Sequence, residues 1–123
     1  MNEYAARSML IEISAGIRIV VVERDYRAVS EAVKIIAAEN ERIDWGAVVR
    51  RANGAERVTH PGGGRITFAT PLSDRMRGIT ADVVFIDNDA HRVVADWPTG
   101  KRYERFRQGI AGVLALGGKV VHS

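Results

Sequence analysis

The chain has 123 residues, 46% of them hydrophobic and 27% charged, and 18 basic against 15 acidic side chains give it a formal charge of +3. This is the size of one domain with a real core, read as a single unit over 1–123. The lack of cysteine excludes a disulfide framework and a thiolate metal site. No apolar run is long enough to cross a bilayer, and the small positive excess falls far short of a dedicated nucleic-acid-binding stripe.

In chain order, Asn2 is a plausible helix cap, and residues 3–14 carry Ala6, Met9, Leu10 and Ile13 at helical spacing before Gly16 stops them. The apolar run at 9–13 is interrupted by Glu12 and has no cleavage site behind it, so no signal peptide is discerned and a cytoplasmic setting is expected. Residues 17–23 read as a strand. Asp25 then caps a second helix over 26–40, with Tyr26, Val29, Val33, Ile36 and Ala37 inward. A short strand over 47–50 and a turn at Asn53-Gly54 precede a hairpin of 56–60 and 65–69, whose tip holds Pro61 and three glycines.

Residues 79–90 carry the clearest chemistry. Val83, Val84, Phe85 and Ile86 form a continuous apolar run that ends in Asp87 and Asp89. Such a run suits a strand over 82–87 buried on both faces of a mostly parallel sheet. Ligands of such sheets bind beyond the carboxyl ends of the strands, where a carboxylate can hold a magnesium ion against phosphates. A core strand ending in a polar loop is the plain alternative. A last helix over 101–116 places Tyr103, Phe106, Ile110, Val113 and Leu114 inward, Gly117-Gly118 end it, and 119–122 close the chain as a strand. Alternation of buried strands with amphipathic helices predicts an α/β three-layer sandwich with a mostly parallel sheet.

Other side chains invite functional readings. Asp87 and Asp89, with His91 and Asp25, are reasonable ligands for Mg²⁺ or Mn²⁺. Asp89 as a turn cap beside a solvated His91 is the favoured alternative. His60 and His122 have no partner in the sequence and read as surface residues. Arg50, Arg51 and Arg57 lie near the hairpin, and Arg65, Arg75 and Arg77 beyond it. Lys101, Arg102, Arg105 and Arg107 follow on the last helix. Arg75, Arg77, Lys101, Arg102 and Arg105 are the candidates for phosphate contacts, against a plain solvated face. Trp45 and Trp97 are possible stacking platforms, though loop anchors are commoner.

The order and spacing of these segments resemble the ATPase core of P-loop motors, in particular the large terminase subunits and related helicases of bacteriophages. Residues 18–22 followed by 26–36 resemble the second strand and helix of that core. The hairpin over 53–69, Arg77-Gly78 and 82–90 resemble the terminase hairpin, its Arg-Gly and its Walker B strand, and 118–123 the strand that follows. The phosphate-loop position falls on 1–8, where Arg7 and Ser8 stand for the lysine and hydroxyl of that motif, but Met1 and Ala6 replace both glycines. Without those glycines, backbone N–H groups cannot converge on phosphate. The glutamate that follows the Walker B aspartate in active members is Asn88 here, and an amide is no general base.

The resemblance therefore implies a RecA-like core lacking its phosphate-loop strand: a truncated, degenerate, phage-encoded domain in the host cytoplasm, a pseudo-ATPase more than an enzyme. Arg7, Ser8 and Asp87 are its remnant nucleotide site, with Mg and ATP relevant only if residual activity survives. Its expected role is protein binding or homodimer formation through the strand of Lys119, Val120, Val121 and His122, one side of which would lack its usual neighbour. The alternatives are a nucleic-acid-binding module, or a residual Mg-dependent nucleotide hydrolase or phosphoesterase.

Overall fold

The computed structural model describes residues 1–52, 54–71, 79–95 and 101–122, without the side chains of 93–95, 101–103 and 115–116. Asn53, the segment 72–78 with Arg75 and Arg77, and the segment 96–100 with Trp97 lie outside the described residues. The elements in order are α1 (Glu3–Ser14), β1 (Arg18–Val22), α2 (Tyr26–Ile43), β2 (Val48–Arg50), β3 (Arg57–Thr59), β4 (Arg65–Ala69), β5 (Ala81–Ile86), α3 (Asn88–Ala95), α4 (Lys101–Val113) and β6 (Leu114–His122).

Local chemistry accounts for the helix ends. Asn2 Oδ1 accepts from Ala5 N at 2.9 Å and Asp25 Oδ1 from Ala28 N at 2.8 Å, each satisfying an orphan donor of the first turn. Gly16, at φ +89°, turns the chain out of α1, and Asp44, at φ 55°, does the same for α2.

The six strands form one sheet in the order β2-β3-β4-β1-β5-β6. The β4·β1, β1·β5 and β5·β6 pairs are parallel, while β2·β3 and β3·β4 are antiparallel. The structure is thus α/β with a mixed, mostly parallel sheet. Side chains alternate between its two faces. Ile19, Val21, Val58, Ile66, Phe68, Val83 and Phe85 pack with α1 and α2. Val20, Val22, Ala69, Ala81, Val84 and Ile86 pack with Ala90, Phe106 and Val113 from α3 and α4. Helical cover on both faces is compatible with a three-layer sandwich. The continuous apolar runs of β1 and β5 exist because both faces of these strands are buried.

Ion pairs fix the elements laterally. Glu39 on α2, 3% exposed, accepts from Arg7 Nε of α1 at 2.8 Å and from Arg42 Nη2 at 2.7 Å. The Arg42 and Arg7 guanidiniums hold its carboxyl down to about 2. Arg18 grips Asp82 across the β1·β5 pair with contacts of 3.1 and 3.0 Å. The hairpin tip docks on the turn after α1: Gly64 N donates to Ile13 O at 3.0 Å, and a Cβ on Gly64 would collide with the backbone of Ile13 and Ile17.

Four expectations are corrected. Tyr26 is 54% exposed instead of inward, because it opens α2 before the helix settles on the sheet. Residues 88–95 form the helix α3, in place of the polar loop that the plain alternative put after the strand. The last helix stops at Val113, and Leu114 begins a strand that continues through Gly117 and Gly118. His60 is no free surface residue: its Nδ1 accepts from Gly62 N at 2.8 Å, so Nε2 carries the proton and donates to Trp45 O at 2.9 Å.

Candidate functional site

Among the described residues, two places stand out as candidate sites. The first follows from the winding of the chain. From β1 it crosses through α2 to β4 on one side, and from β5 it crosses through α3 and α4 to β6 on the other, using opposite faces of the sheet. Connections of one hand require that arrangement. The direction therefore switches between β1 and β5, and the crevice beyond the carboxyl ends of two such strands is where open α/β sheets bind ligands.

Glu23 and Asp87 lie there, next in register after the Val22↔Ile86 pair. Glu23 N donates to Ala69 O and Asp87 N to Val22 O, so the sheet ladder runs into the site and fixes both backbones. Both side chains are buried, at 3% and 8% exposure. Asp87 is satisfied: Oδ1 accepts from Asp89 N and Oδ2 meets the Met1 ammonium, each at 3.1 Å. Glu23 is not, since its Oε1 is buried without a partner. Burial first, and then the neighbouring Asp87 charge, push the Glu23 carboxyl up to about 7, against partial relief from the Met1 ammonium. A buried carboxyl poised near neutral pH, beside a second carboxylate, has the properties of a proton-handling or cation-holding group.

The anticipated nucleotide residues do not converge here. Arg7 is committed to Glu39 and lies over the Tyr4 ring at 5.7 Å. Ser8 faces a groove between α1 and the β5–β6 side of the sheet. Both belong to the second turn of α1, about 9 Å of helix rise from Met1. Asp89 faces Arg24 at 3.6 Å and Arg92 at 3.8 Å, and Asp25 is occupied as a cap. The His91 ring meets that of His122 edge-on at 5.0 Å. Among the described residues, no three potential ligands gather into a metal group. Two carboxylates, Glu23 and Asp87, do suit a hard cation. For phosphates, the committed Arg7 and the non-glycine first turn do not fit.

The second place is the strand predicted as an interface. Among the described residues, β6 pairs only with β5 and forms one margin of the sheet. Its regular part matches Val83↔Lys119, Val84↔Val120, Phe85↔Val121 and Ile86↔His122. Because Asp87 N points to β1, Val84 and Ile86 turn their backbone groups toward β6. Their partners Val120 and His122 accordingly turn N–H and C=O outward, to the open margin. Val120 is 37% exposed. Beside this edge lies a groove of about 210 Å³, with Met9 of α1, Phe85 of β5 and Val121 of β6 among its walls. The opposite margin, β2, has three residues, ends in Arg50 and is followed by Arg51, a short charged edge that resists pairing. On β6 the regular part, 119–122, carries Lys119 as its one charged guard, after a register shift between the Leu114 and Lys119 pairings.

Of the basic candidates, Arg75 and Arg77 lie outside the described residues. Lys101 and Arg102 open α4 without described side chains, and Arg105 is exposed on α4. No family model, no curated protein and no solved structure matches the chain.

Proposed function

We propose that this chain is a non-hydrolytic binding domain derived from a P-loop motor core, and that its working surface is the open edge of β6, through which two copies pair. The observation that carries the reading is the outward N–H and C=O of Val120 and His122 on a strand that, among the described residues, is bonded on one side only. An unpaired edge is a template for another strand, and a two-fold pairing makes one continuous sheet across a dimer. The order β1-β5-β6 supports the RecA-like ancestry. A same-handed connection through α1, on the face of α2, would reach β1 from the β6 side. The open edge is thus the slot of the phosphate-loop strand in that architecture. Amide hydrogen exchange tests the pairing: the His122 N–H should be protected at high protein concentration and exchange freely on dilution. Exchange independent of concentration would contradict it.

One observation favours a second reading, residual magnesium-dependent hydrolysis. Buried Glu23 beside Asp87 offers a carboxylate in place of the one missing at Asn88. That reading predicts magnesium-dependent ATP turnover lost in Asp87→Asn. The primary reading predicts no turnover and an ATP affinity weaker than about millimolar, roughly 4 kcal/mol of binding.

A further inference from the structure

The two faces of the sheet are not equally covered. On the α1–α2 face, Val49, Val58 and Ile66 of β2, β3 and β4 join the core. By alternation the other face of these strands carries Val48 and Arg50, Arg57 and Thr59, and Arg65 and Thr67. The apolar cluster under α3 and α4 reaches β4 only at Ala69 and includes no residue of β2 or β3. Arg50 and Arg57 remain exposed there and Arg65 half-buried.

Three arginines from three adjacent strands therefore share one open face. The register sets Arg50 directly opposite Arg57, and sets Arg57 opposite Thr67, the next residue but one from Arg65. Like charges directly opposite one another destabilise a strand pair. Among the described residues, Arg50 and Arg57 enter no ion pair or side-chain hydrogen bond, while Arg65 donates to the backbone carbonyl of Thr80 at 3.1 Å and feels the Asp82 charge. Arg18, opposite Arg65 on β1, is by contrast neutralised by Asp82. Beside the arginines lies an open groove of about 340 Å³, walled by Arg57, Arg65, Thr67 and Ile79. Glu56 also lines it, and its Oε1 accepts from Gly54 N at 3.1 Å.

We propose that this open face of β2, β3 and β4 binds the phosphodiester backbone of single-stranded nucleic acid through Arg50, Arg57 and Arg65. With strands about 5 Å apart and Arg65 displaced two residues along β4, the three charges trace a bent path of about 13 Å that a flexible linear polyanion can follow. The adjoining groove, with an apolar wall at Ile79 and the Thr67 hydroxyl, accepts a splayed base or sugar, which a duplex does not present.

Fluorescence anisotropy of a labelled oligodeoxythymidylate tests this on the full chain. Each phosphate contacted on a single strand contributes about −0.7 to the slope of log affinity against log salt, so three arginines give about −2. Affinity should then fall about 20-fold between about 50 and about 200 mM salt. Arg57→Gln and Arg65→Gln should each flatten the slope by about 0.7, and the combined Arg50→Gln, Arg57→Gln, Arg65→Gln variant should abolish the dependence while melting no lower than the parent. Arg27→Gln on α2, exposed on the opposite side of the sheet, removes the same charge elsewhere and should leave binding within about two-fold of the parent, a span of about 0.4 kcal/mol. Salt-insensitive or undetectable binding by the parent would overturn the proposal. So would an equal loss in Arg27→Gln, or tighter binding of the duplex of the same length.

Discussion

Glu23→Gln is the substitution whose effect follows most directly from the geometry. Its carboxyl is 3% exposed with an unpartnered Oε1, and burial raises it from an ordinary 4.5 to about 7. Between those values the folded protein holds a proton that the unfolded chain has released, so stability falls as pH rises through the window. At about 1.4 kcal/mol per pH unit, the full displacement amounts to about 3 kcal/mol, an upper figure because the folded protein relaxes around the buried charge. Below 4.5 the group is protonated in both states and contributes no slope. The amide variant cannot ionise, so its urea stability minus that of the parent should climb steadily from pH 5 to pH 8. It should exceed the parent by about 1–3 kcal/mol at pH 8. Other titrating groups cancel in that difference. Parallel curves for the two proteins would refute the buried-acid argument, and with it the assignment of Glu23 to the site.

Two further substitutions probe the fold. Phe85→Ala removes a ring that is 8% exposed in the cluster beneath α1 and α2, and should cost about 3–5 kcal/mol by chemical denaturation, enough to unfold a marginal domain. Arg50→Thr relieves the like-charge pairing with Arg57 and keeps a good strand former, so it should raise stability by about 0.2–1 kcal/mol, most visibly at low salt.

What was legible in the sequence was local. The runs 19–22 and 83–86 announced strands buried on both faces, and Asn2 and Asp25 announced helix starts through side chains that bond two or three residues away. The misreadings arise where distant residues decide. Glu23 looked like the polar end of a strand; it is buried because β4 and β5 flank it and α1 brings Met1 to Asp87. The helical spacing of Ile110, Val113 and Leu114 ran on into what is a strand, because pairing with β5 overrides local preference there. Acidic residues at 87 and 89 suggested ligands together, yet Asp87 accepts the Asp89 N–H while Asp89 faces arginines. The shared face of Arg50, Arg57 and Arg65 depends on cross-strand register, which no single stretch of sequence reveals.

The central claim, that β6 pairs with a copy of itself, is tested by light scattering across a concentration series on the parent and on Val120→Pro. Proline removes an N–H that points away from β5, so the internal ladder survives while the outer one cannot form. The account predicts a parent of twice the chain mass and a folded, monomeric variant. A parent that stays monomeric at high micromolar concentration, or a variant that remains dimeric, would contradict it.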